Sequence, residues 1–202
     1  MKRTIAFCAA LLGGANGLAS GQIPGIELTL FPRVGVYKPV GALAEFAAST
    51  AELRGATALG MSVELQLPLL PINLRGNLEY VPGADAAIND RDLDVDNALL
   101  LLSGDLVFRL LPAVSPIQPY LLAGAGVKKY NFDNAFATAL FSFPDDRDWM
   151  AHLGAGLGLK LGPLSIAAEV SDYISWFEML GGDGGKLQND LFATVGLKIG
   201  LF

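Results

Sequence analysis

The sequence predicts an all-β chain, an eight-stranded antiparallel up-and-down transmembrane β-barrel with short periplasmic turns and long extracellular loops. Three observations carry this reading. Apolar and polar residues alternate with period two in eight separate stretches. The connections between the stretches alternate short and long. One face of the alternation is broad and apolar while the other carries charges of both signs, an arrangement suited to lipid outside and a polar lumen inside.

The first twenty residues, MKRTIAFCAALLGGANGLAS, place Lys2 and Arg3 before a short apolar run and end on small residues. This is the pattern of a secretory leader, too short in its apolar part to span a bilayer. Cleavage is expected after about Ala19, so that residues 1–19 are the signal peptide and 20–202 the barrel domain. Cleavage removes Cys8, the only cysteine, and leaves 12 basic against 20 acidic residues, a net charge of −8. Such a balance argues against nucleic acid as a partner. The chain is 52% apolar and holds 24 glycines, many inside apolar stretches, which suggests a curved sheet with little interior room.

Residues 98–114, ALLLLSGDLVFRLLPAV, are the best candidate for a helical span. A helix there would carry Asp105 and Arg109 near the bilayer centre, each at a cost of about 2.5–3.5 kcal/mol. Read as a strand, Leu100, Leu102, Gly104, Leu106, Phe108 and Leu110 face one way, and both charges face the other. The same test resolves eight segments, near 25–37, 53–67, 71–81, 97–110, 118–131, 149–162, 164–176 and 190–202. Pro32 lies in the first, where it cannot donate a ladder hydrogen bond, so a bulge or an end of pairing is expected there. Asp172 interrupts the apolar face of the seventh and is placed at the membrane rim.

Segments two and three are joined by PLLP, four and five by LPAVSP, and six and seven by GP. The other connections run to about a dozen residues or more. In a meander this puts all short turns on one side. With a leader before strand one, that side is the periplasm. A soluble barrel would reverse the faces. Only closure satisfies the backbone of a sheet in lipid.

The polar face defines a lumen network of Glu27, Arg33, Glu64, Arg75, Glu79, Asp105, Arg109, Lys128, Lys160, Glu169 and Lys198. Eight strands leave an interior just wide enough for side chains, so a plug of ion pairs is expected rather than a wide pore. Lys198 is expected to face acids such as Glu27 or Glu169. His152, the only histidine, falls on the lumen face as a hydrogen-bonding group. Asp85, Asp90, Asp92, Asp94 and Asp96 lie in one long loop, without the glycine and closing glutamate of a helix-loop-helix calcium site. They read as a solvated acidic loop that divalent ions could bridge to lipopolysaccharide; no metal site or cofactor is assigned. The loop near 132–148 carries Phe132, Phe136, Leu140, Phe141 and Phe143, read as packing on neighbouring loops or, alternatively, as an adhesive patch.

The leader, PYLLAGAGVKKY at 119–130, GAGLGLKL at 154–161 and a last strand ending in Phe202 together resemble the outer membrane protein A-like superfamily of eight-stranded barrels. The resemblance covers essentially the whole mature sequence. It implies a non-enzymatic integral outer-membrane barrel with structural or surface-interaction roles, partnered by outer-membrane lipid, lipopolysaccharide and the barrel-assembly machinery. It also implies possible surface ligands at the loops. The alternative it carries is a small channel or binding barrel for small or apolar solutes, as in outer membrane protein W-like barrels. Phe202 takes the place of the aromatic residue the family's assembly machinery reads. The positions two, four and six before it are Gly200, Lys198 and Gly196, so the apolar set is offset by one. The chain is expected to end with the barrel, without the peptidoglycan-binding domain some members add. Lipid A deacylases are also eight-stranded barrels, with a His-x-Ser arrangement toward lipid. Here the run is His152-Leu153-Gly154, on the lumen side.

Overall fold

The computed structural model describes residues 27–40, 44–46, 49–53, 55–67, 70–83, 86–88, 91–92, 97–112, 114–132, 148–162, 164–177 and 186–201. Twelve strands occur among them: β1 Glu27–Val40, β2 Ala44–Phe46, β3 Ser49–Leu53, β4 Ala56–Gln66, β5 Ile72–Pro82, β6 Ala86–Ile88, β7 Arg91–Asp92, β8 Asn97–Arg109, β9 Ile117–Phe132, β10 Asp148–Leu161, β11 Leu164–Phe177 and β12 Lys186–Gly200. Eight of them close into a barrel in the order β1-β12-β11-β10-β9-β8-β5-β4, every pair antiparallel. The four short strands form a separate sheet in the order β2-β3-β6-β7. The first two long connections therefore carry strand structure of their own, which the period-two reading did not separate from loop. The expected signal peptide, most of the acidic and aromatic loops, and Phe202 lie outside the described residues.

The register fixes the barrel's dimensions. A circuit of paired residues from Lys38 passes through Leu191, Asp172, Leu153, Ala123, Leu106, Leu74 and Leu65 and returns to β1 at Leu28, ten residues from its start. With ~3.3 Å per residue along a strand and ~4.8 Å between strands, that stagger over eight strands tilts them by ~40° on a backbone cylinder of radius about 8 Å. Side chains from eight walls fill such a cylinder.

The faces follow the alternation. Asn73, Arg75, Asn77 and Glu79 of β5 are buried in the lumen, while Leu74 is 44% and Tyr80 39% exposed on the outside. Ser103 and Asp105 of β8 are buried and Leu102 is 55% exposed. Pro32 makes no bulge. Its ladder to β4 is continuous, and that to β12 skips Phe31 and Pro32 and resumes in the same register, Leu30↔Ile199 and then Arg33↔Gly196. β1 and β12 both run further toward the long connections than the sequence suggested, because Tyr37–Val40 pair with Asn189–Phe192. The two-residue connection between β10 and β11 turns at Gly162, whose φ of 72° favours glycine.

Candidate functional site: the charged lumen

The lumen is built by pairing charges across strands, and glycine makes the pairing possible. In three places two polar side chains stand on strands two apart, with an inward glycine between them. Arg33 on β1 and Glu79 on β5 flank Gly60 of β4, and Arg33 Nε donates to Glu79 Oε1 at 2.6 Å. Asp105 on β8 and His152 on β10 flank Gly124 of β9, with Nδ1 and Oδ2 2.9 Å apart. Tyr120 on β9 and Glu169 on β11 flank Gly156 of β10, and the Tyr120 hydroxyl donates to Glu169 Oε2 at 2.8 Å. A methyl group at Gly60 would lie 2.7 Å from Arg33 Cγ and Nε, and one at Gly156 would lie 2.6 Å from Tyr120 Cε2. The sequence reading connected glycine with a crowded interior; the specific role is to leave a gap through which a charge reaches its partner.

These bridges join into one network. Arg75 donates to Glu64 through Nε at 3.0 Å and Nη2 at 2.8 Å, and to Glu169 through Nη1 at 2.5 Å. Lys198 Nζ donates to Glu64 at 3.1 Å. Arg33 also reaches Ser62 and Asn77, and Asn77 reaches Ser103 at 3.0 Å and Asp105. Phe31 and Tyr120 present ring faces to Arg75 and Lys198, with Lys198 Nζ 4.6 Å from the Tyr120 ring centre. Toward the long connections, Lys128 bonds Asp190, which accepts a 2.7 Å bond from Tyr37. Between the two clusters His152 stacks on Tyr173 at 3.8 Å and 5°, and Tyr173 packs edge-on against Phe192.

Seven of the eleven lumen residues assigned from sequence are buried: Arg33, Glu64, Arg75, Glu79, Asp105, Lys128 and Glu169. Lys198 is half-buried. Its acid is Glu64 rather than Glu27 or Glu169, because strand stagger brings β4 beneath β12. Glu27 and Lys160 lie exposed at the short-turn mouth. Arg109 is there too, its Nη2 donating to the Leu70 carbonyl at 2.7 Å and so tying the β4–β5 turn to β8. These three line a cavity of about 150 Å³ at that mouth, together with Asn73, Gln118 and Lys198. The sequence reading omitted Asp190, Gln188 and Tyr37, although Asp190 and Gln188 continue the inward phase of Phe192 and Thr194.

The Ser103, His152 and Asp105 side chains meet, but not as a nucleophile relay. Ser103 Oγ, at 3.4 Å, and Asp105 both approach the same ring nitrogen, Nδ1. A relay needs the base held by one nitrogen and the nucleophile at the other. His152 is also fully buried. Among the described residues no group of three His, Cys, Asp or Glu side chains could hold a metal ion.

No family model and no curated protein matches the chain. Solved structures do. Neisserial surface protein A matches with a TM-score of 0.56 at 12% identity, over 85% of this chain and 96% of its own. The outer membrane protein OprG from Pseudomonas aeruginosa gives 0.57 at 13%, over 89% and 97%. A major outer membrane protein from Thermus thermophilus gives 0.51 at 14%, over 87% and 98%. The chain shares the fold of eight-stranded outer-membrane barrels.

Proposed function

We propose that this protein is a non-enzymatic integral outer-membrane barrel whose wall is a closed, plugged anchor and whose long connections meet the cell exterior. One observation carries the reading: the ion pairs Arg33–Glu79, Arg75–Glu169 and Lys128–Asp190 fill the lumen with side chains no more than 2% exposed. A passage for hydrated solutes would need that network parted. The exposed outer wall, including Val36, Leu102, Leu153, Leu157 and Val170, supports lipid as its surroundings. The buried, single-nitrogen contacts of His152 favour a structural role over hydrolysis. The short turns and both barrel termini lie at one end, read as periplasmic; the barrel-assembly machinery and lipopolysaccharide are the partners this placement implies.

Planar-bilayer recording of the refolded protein tests the plug. The expected trace has no stable single-channel steps, and reproducible steps would overturn it. A small channel is the second reading, favoured by the cavity at the short-turn mouth. Protease applied to intact cells tests orientation. Cuts are expected only within 41–55, 83–96, 133–147 and 178–185, and cleavage near Pro68 or Pro116 would reverse the placement.

A further inference from the structure

The short-turn mouth holds a polar cavity of about 150 Å³ to which all eight barrel strands contribute. One water occupies about 30 Å³ of liquid, so the space suits a tetrahedral oxyanion with a few waters. It is well below the roughly 300–1,000 Å³ of pockets for larger organic ligands. Its floor is the plug, since Glu64, Tyr120 and Lys198 line it, and there the Lys198–Glu64 pair is already made at 3.1 Å.

Charge is balanced behind that floor and unbalanced in front of it. Arg33, Arg75 and Lys198 are matched by Glu64, Glu79 and Glu169, three against three. At the mouth Arg109 and Lys160 line the cavity with one further acid, Glu27, which leaves one positive charge over. Arg109 is held by a carbonyl instead of an acid. Its Nη2 donates to Leu70, and its Nε and Nη1 are buried with no hydrogen-bond partner. Asn73, 3% exposed, has the same shortage at Oδ1. Asn73 pairs with Val107 and Arg109 is two residues on, so the two side chains start ~7–8 Å apart on one wall of the cavity. Buried polar groups are seldom left without partners, and two such side chains on one cavity wall point to an occupant.

We propose that this mouth binds inorganic phosphate, a small oxyanion that keeps a proton at neutral pH. Its oxygens meet Arg109 and Lys160, and its O–H donates to the Glu27 carboxylate. Arginine suits the first role because it is always charged and its planar fork matches phosphate oxygens. Lys160 and Glu27 are both exposed, so the ligand meets them directly from solvent. The carboxylate selects the ligand class. Sulfate has the same shape but no proton at neutral pH, so at Glu27 it meets repulsion where phosphate makes a charge-assisted hydrogen bond. A simple carboxylate lacks the donor as well. The mouth site stands apart from the closure of the plug and from orientation in the membrane.

The test is equilibrium dialysis of radiolabelled inorganic phosphate against the full chain refolded in octyl glucoside micelles at neutral pH, with sulfate as competitor. Saturable binding of one phosphate per barrel is expected, and an equal concentration of sulfate should leave it in place. Lys160→Met and Arg109→Met should each weaken binding about tenfold, the usual loss of a hydrogen bond to a charged group. Lys129→Met, at an exposed lysine on the outer wall toward the long connections, changes the net charge equally and should bind as the parent does. Glu27→Gln should let sulfate compete. Heat-modifiable gel migration checks that each barrel has folded. Arg109 also ties the β4–β5 turn, so if its variant fails to fold the exposed Lys160→Met decides. Equal binding by Lys160→Met and the parent would overturn the proposal, as would an absence of saturable binding. Displacement from the parent by sulfate as readily as by phosphate would also overturn it, leaving an adventitious ion only. Stable conductance steps would refute the plug without touching this result.

Discussion

Replacing Arg75 with methionine tests whether the lumen is dry. Arg75 makes three charge-assisted bonds, two to Glu64 and one to Glu169, with its side chain fully buried. Removing one partner of a buried pair commonly costs 3–5 kcal/mol, because the other charge stays behind. Here neither acid is stranded completely. Glu64 keeps Lys198 and Asn73, and Glu169 keeps the Tyr120 hydroxyl. The expected loss is therefore ~3 kcal/mol, the low end of that range. The assay is urea unfolding from phospholipid vesicles, read by tryptophan emission; Trp149 is 80% exposed on the lipid face and changes surroundings when the barrel opens, and Trp176 adds to the same signal. Arg75→Met combined with Glu169→Gln should recover about 1–2 kcal/mol, since the second change removes the stranded charge. A single-variant loss below ~1 kcal/mol, the range of solvent-exposed pairs, together with no recovery in the double variant, would refute the dry plug.

Other outcomes follow from the same geometry. Gly156→Ala should destabilise the barrel by about 1–3 kcal/mol, because its methyl group meets the Tyr120 ring. Gly104→Ala, which meets nothing within 4 Å, should shift the same urea midpoint by less than ~0.5 kcal/mol. Lys128→Met strands Asp190, fully buried beside Tyr37, and should cost about 3 kcal/mol; Lys128→Met with Asp190→Asn should be the more stable of the two. Cells expressing the protein should show an unchanged lipid A acylation pattern by mass spectrometry, and so should cells expressing His152→Ala.

The lumen and lipid faces were legible because the side-chain period of a strand is two and needs no partner to be read. Arg75, Asn77 and Glu79 fell on one face by counting alone, as did His152. Which charge meets which was not legible. Lys198 joins Glu64 because of a ten-residue stagger that belongs to the closed barrel, not to any strand. Glu27 and Lys160 share the inward phase of the plug but end at its mouth, since phase says nothing of depth. Asp190 was readable in principle, two residues before Phe192. It stands at the first position of the segment read near 190–202, where too few residues precede it to show the alternation. The glycine bridges were hidden for a related reason. Gly60, Gly124 and Gly156 have meaning only between two neighbours distant in sequence.

The plug also bears on how the barrel can be closed correctly. A slip of one residue between β1 and β12 would put the lumen side chains of one strand level with the outward side chains of the other and is excluded by lipid. A slip of two keeps each residue on its proper face, so the alternation cannot detect it. The charges can. Tyr37 and Asp190 are 153 residues apart and are joined in the observed register by a 2.7 Å hydrogen bond. Arg75 and Glu169 are 94 apart and meet only once both halves of the barrel are joined. A closure off by two would leave these groups without partners in a space that admits little water. The ion pairs therefore proofread the seam, and a barrel stripped of them would lose fidelity of closure as well as stability.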